Sequence, residues 1–144
     1  MSIYALKPKF QALLRPFVRA LFAAGVTANQ VTLFACAISI ALGLWLFLAP
    51  VPPRAFLLLP LWLFLRMALN AIDGMLAREF GQQSKLGAYL NELTDVIADA
   101  ALILPFAAIA PFAQGHGPLW LATLALLAAL SEFAGALGVT VGAS

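Results

Sequence analysis

The chain has 144 residues, 64% of them hydrophobic and only 10% charged, with a mean hydropathy of +1.00. A soluble domain carries about a quarter charged residues, so an integral membrane protein is expected rather than a water-soluble bundle. The net charge of +2 comes from few basic residues with no interleaved aromatics to stack bases, which argues against a nucleic-acid partner.

Residues 5–24 read as an amphipathic helix lying in the membrane interface. Leu6, Phe10, Leu13, Leu14, Phe17, Val18 and Leu21 recur at helical spacing, and Lys7, Lys9, Arg15 and Arg19 can reach headgroups. The other reading is a positive flank that only sets topology. Pro16 is expected to bend or restart the helix, and no cleavable signal peptide is expected in this basic, proline-broken segment. Gly25 ends the helix, and Thr27 or Asn29 can cap the next one.

Four membrane spans are expected, at residues 31–49, 56–77, 86–109 and 119–137, each near the roughly 20 residues that cross hydrocarbon. Pro52 and Pro53 make one outer turn and residues 114–118 the other, while residues 79–85 form an inner loop. Basic residues gather before the first span and at Arg78 and Lys85, so the N-terminus and the inner loop are expected in the cytoplasm. Cys36 is the only cysteine, so no intrachain disulfide forms, and a buried thiol is expected. The fold class is thus all-α: a polytopic helical membrane protein with an N-terminal interfacial helix and about four transmembrane helices. With no repeat or linker, residues 1–144 read as one membrane domain.

Two polar rows stand out from this apolar background. Asn70, Asp73, Gly74 and Ala77 share one side of the second span, with Arg78 at its rim. Gly87, Asn91, Asp95 and Asp99 form a stripe on the third span, with Glu92 beside it. The short connection makes these helices antiparallel neighbours, so the rows can face each other. Intramembrane carboxylates need a partner or a task. A hard divalent cation, Mg²⁺ or Mn²⁺, would relieve their repulsion and favour a diphosphate ligand, and Arg78 could meet a phosphate bidentately. Mutual hydrogen bonding that merely joins helices is the competing reading. Arg66 and Glu132 are expected to bridge helices within the bundle.

These residues resemble the signature of the CDP-alcohol phosphotransferase (CDP-alcohol phosphatidyltransferase) family, D-x2-D-G-x2-A-R-x8-G-x3-D-x3-D. The spacing matches throughout, and six of eight positions are identical: Asp73, Gly74, Ala77, Arg78, Gly87 and Asp95. Asn70 and Asn91 stand at the other two, where the signature has aspartates. The stretch Thr27-Ala28-Asn29-Gln30-Val31-Thr32 is also similar to the family's segment before its first membrane helix.

The resemblance implies a partial version of a six-helix membrane fold, lacking the last two helices. It implies transfer of a substituted phosphate from a CDP-linked lipid donor, CDP-diacylglycerol being common, to a small alcohol acceptor with release of CMP, in phospholipid biosynthesis. By position, Asp73, Asp95, Asn70 and Asn91 would form the metal site for Mg²⁺ or Mn²⁺, with Asp99 as a compensating ligand. Asp95 would be the general base. Asn70, Asp73, Gly74, Ala77, Arg78 and Gly87 would bind the nucleotide. A homodimer in the bacterial inner membrane, with its active site on the cytoplasmic side, is the assembly and location implied. The alternative is a non-catalytic membrane homologue that binds lipid or a partner protein, and a small transporter subunit is a third reading.

Overall fold

Glycine and proline punctuation cuts the chain into five α-helices in the computed structural model, which describes residues 6–140 and residue 142. They are α1 (Leu6–Ala23), α2 (Ala28–Leu48), α3 (Leu58–Glu79), α4 (Lys85–Ile103) and α5 (Gly117–Thr140). Residue 5, where the interfacial helix is expected to begin, and tail residues 141, 143 and 144 lie outside the described residues.

α1 is amphipathic and continues through Pro16 rather than restarting there. Leu14 and Val18 are buried against Ala28 and Val31 of α2 and Ile72, Met75 and Leu76 of α3. Gly25, at φ +79°, supplies the left-handed turn that ends α1. Thr27 then caps α2 through a reciprocal capping box: its hydroxyl accepts from the Gln30 amide, and its own amide donates to the Gln30 side chain.

α2, the segment Pro53–Glu79 and the stretch Gly117–Gly138 are long and apolar enough to cross a membrane. The fourth expected span exists as helix α4. Lys85, Glu92, Asp95 and Asp99 interrupt its 19 residues, so it falls outside that apolar class. It also ends earlier than residue 109. Pro105 has no amide hydrogen and cannot continue an α-helix, so residues Leu104–Ala108 tighten into a 3₁₀ turn.

Large apolar side chains point outward, among them Phe34, Phe64, Trp120 and Phe133. That is the surface of a polytopic membrane protein rather than a soluble one. α2 is the hub, packing against both α3 and α4, while α5 packs on α4. At Gly43 a Cβ would collide with the Ala101 backbone, so the glycine lets α2 and α4 approach closely. A second apolar cluster of Leu46, Phe56, Leu59 and Leu102 closes the end remote from the 79–85 loop.

Candidate functional site

α3 and α4 are antiparallel, as the sequence implies, yet they make little backbone contact with each other. α2 carries both, and the space left between α3 and α4 is where the polar rows face. Towards the 79–85 loop this space is a cavity of about 680 Å³.

Six signature positions line that cavity from α3 and the start of α4: Asn70, Asp73, Gly74, Ala77, Arg78 and Gly87. Asn91 joins them one turn further along α4. Glycine at 74 keeps room for the Arg78 guanidinium, which would lie 2.8 Å from a Cβ there. Glycine at 87 similarly accommodates the Asn29 amide oxygen, 2.8 Å from a Cβ at that position. Small residues at these points hold the wall open on both sides.

The loop end is fastened by side chains. Ser84 caps α4 by accepting from the Gly87 amide at 2.9 Å. The Ala28 amide, one of the unpaired donors of the α2 N-terminus, donates to the Gln82 side chain at 2.6 Å. Arg15 of α1 pairs with Glu79 at 2.9 Å, and that hydrogen-bonded carboxylate raises the Arg15 pKa. Phe22 packs on Phe80 with ring centroids 4.4 Å apart.

Asp73 is buried, and its Oδ2 accepts from the Thr32 hydroxyl at 2.7 Å. The single Thr32 hydroxyl hydrogen is shared with the Ala28 carbonyl, 3.1 Å away, so a hydroxyl on α2 orients the acid on α3. Asp95 and Asp99 do not line the large cavity. They face a smaller one of about 300 Å³, deeper along α3, lined also by Arg66, Asn70 and Glu132. Arg66 is buried, donates to Asp95 Oδ1 at 2.6 Å and forms a second ion pair with Asp99. Asn70 Nδ2 donates to the same Asp95 oxygen at 3.2 Å. Arg66 thus bridges helices as expected, but with α4 carboxylates and not with Glu132.

Divalent ions are typical of the family whose signature these residues resemble, and the donor set here does not fit a metal pair. Asn70 and Asn91 are neutral where the signature has anions, and Asn70 turns its amide hydrogen to Asp95. One Asp95 oxygen is shared by Arg66 and Asn70, and Asp99 is paired with Arg66. Among the described residues no group of three or more Asp, Glu, His or Cys side chains is placed to share an ion. Asp99 is an ion-pair partner of Arg66 through one carboxylate oxygen.

Sequence reasoning passed over Thr32, Gln82 and the pairing of Arg66. Thr32 closes a segment whose likeness to the family was visible, but nothing in one sequence aligns a hydroxyl on α2 with an acid 41 residues later.

The chain is 59% identical over 106 residues to the inner membrane protein YnbA of Escherichia coli, covering 74% of this chain and 52% of that protein. It is 33% identical over 128 residues to an uncharacterized protein of Aquifex aeolicus, covering 89% of this chain and 61% of that one. It is 32% identical over 127 residues to a phosphatidylinositol phosphate synthase of Mycobacteroides abscessus, covering 86% and 54%. The chain thus spans little more than half the length of these curated relatives. No solved structure matches it. The CDP-alcohol phosphatidyltransferase family pattern matches residues 25–142, both polar rows included, and the chain is an integral membrane member of that family.

Proposed function

We propose that residues 1–144 form one membrane domain that binds a CDP-linked lipid, CDP-diacylglycerol by family analogy, and transfers its substituted phosphate to a small alcohol with release of CMP. The observation that carries this reading is the large cavity, which gathers Asn70, Asp73, Gly74, Ala77, Arg78 and Gly87 at the spacing of the family signature. The relative named phosphatidylinositol phosphate synthase makes a phosphorylated polyol one acceptor worth testing.

In this reading the cytidine diphosphate lies against the small residues at 74, 77 and 87, and Arg78 bonds a phosphate oxygen. The alcohol oxygen attacks the phosphorus that carries the lipid. The bond from that phosphorus to CMP breaks, and the alcohol proton passes to Asp95, which faces the adjoining smaller cavity beside Asn70 and uses the oxygen not held by Arg66 and Asn70. Mg²⁺ or Mn²⁺ is the cofactor typical of the family, and the donor set here does not fit a pair of them. The basic residues at 7–19, 78 and 85 support a cytoplasmic site, and a homodimer is the assembly suggested by the family.

The test is CMP release from CDP-diacylglycerol by the purified chain, with a panel of alcohols including inositol phosphate, with divalent ions and with chelator. D73A and D95A are the controls. Acceptor-dependent release lost in both variants is expected. No release from folded protein would favour the alternative, a homologue that binds lipid or a partner without turnover.

A further inference from the structure

The polar centre already contains a cation. Arg66 is 8% exposed and sits between Asp95 and Asp99, bonded to both. A guanidinium is permanently charged, planar and suited to holding two carboxylates in fixed geometry. It offsets part of the repulsion among anionic oxygens that would draw a divalent ion, at Asp95 and Asp99.

The exchange at the signature positions works in the same direction. Aspartates at 70 and 91 would add two negative charges, whereas the amides present add none. Asn70 goes further by donating a hydrogen bond to Asp95, a contact that an ionised aspartate could not make. Asp73 is held by Thr32 from another helix. Lys85 and Glu92 line the large cavity with opposite charges. Glu132 lines the small one from α5, as a lone carboxylate on a helix that supplies no second ligand. Mg²⁺ requires near-octahedral oxygen coordination, and a guanidinium wedged between two of the carboxylates opposes it by charge and by position.

We propose that Arg66, together with Asn70 and Asn91, replaces the divalent metal of this site with an internal cation, so that the centre is held in register without Mg²⁺ or Mn²⁺. The proposal rests on the family reading of the site but not on turnover. It deepens that reading by assigning the charge-balancing role to a side chain.

Mn²⁺ binding to the purified chain in detergent, followed by the loss of the free-ion electron paramagnetic resonance signal, tests it. The expected result is a signal indistinguishable from that of buffer with the wild-type chain. The triple variant N70D/N91D/R66Q is expected to take up Mn²⁺ and to be stabilised by it in thermal denaturation, which follows from binding to the folded state alone. Stoichiometric Mn²⁺ binding by the wild-type chain that is lost in D73N or D95N would overturn the proposal. So would a folded triple variant that gains no site. If the triple variant does not fold, the wild-type titration decides. None of these readings uses CMP release, so failure here and failure of the transferase reading are separately visible.

Discussion

The Arg66 guanidinium of α3 reaches the Asp95 carboxylate of α4 at 2.6 Å, across a gap where the two backbones hardly meet. This pair and its extension to Asp99 are the main polar tie between the two helices that carry the signature. The tie holds α3 and α4 together at the deep end of the cavity, whose loop end is fastened by Ser84 and Gln82. A change at Arg66 therefore acts on the ligand wall at a distance of about one helical turn from Asn70.

Replacing Arg66 with methionine leaves two carboxylates in apolar surroundings without their cation. Removing one partner of a buried pair costs about 3–5 kcal/mol, and the partial exposure of Asp95 and Asp99 places the expected loss at the lower end. The double variant R66M/D95N should recover part of it, since one stranded charge is gone. Denaturant unfolding in mild detergent measures both, and a double variant less stable than R66M would contradict the pairing.

Thr32→Val keeps the shape of the side chain and removes the donor to Asp73. A buried acceptor left unsatisfied costs about 1–3 kcal/mol. Asp73 would also lose its orientation toward the cavity. Thermal denaturation should show the loss, and T32S, which retains the hydroxyl, should restore most of it. Equal effects of the valine and serine exchanges would point to packing instead.

Much of this was legible in the sequence. The amphipathic N-terminal helix, the apolar spans, the Thr27 cap and the two polar rows follow from periodicity, capping chemistry and proline placement, because these are local properties. The spacing from Asn70 to Asp95 also carried the family. What was hidden is lateral. The α3–α4 connection suggested adjacent backbones, whereas both helices pack on α2 and meet each other mainly through side chains across a cavity, with Gly43 letting α4 press on α2. Arg66 lies 29 residues from Asp95 and 33 from Asp99 in sequence, and only the fold brings it between them. The helix α4 was expected as an ordinary span. Its acids make sense there because Arg66 and Asn70 from α3 meet Asp95, and Arg66 also meets Asp99.

Gly43→Ala tests that arrangement of backbones. A Cβ at position 43 collides with the main chain of Ala101 rather than with a flexible side-chain tip, so α2 and α4 must separate. Overpacking of this kind costs about 1–3 kcal/mol, and valine should cost more than alanine. Loss of folded protein in detergent is the readout. Unchanged stability on G43V would show that α2 and α4 do not approach here.

Gly74→Ala tests the nucleotide wall with less risk to the fold. The added Cβ lies 2.8 Å from the Arg78 guanidinium, and a side-chain tip can swing away, so stability should hardly change. The displaced guanidinium would no longer stand where a diphosphate is proposed to bind. A tenfold weaker affinity for a CDP-linked lipid, about 1.4 kcal/mol, is the expected scale. Arg78→Lys should weaken binding similarly, because an ammonium is a point charge without the bidentate fork. Equilibrium binding of CDP-diacylglycerol in nanodiscs reads both variants without requiring turnover. If neither changes affinity while both remain folded, Arg78 is not a phosphate ligand and the nucleotide lies elsewhere in the cavity.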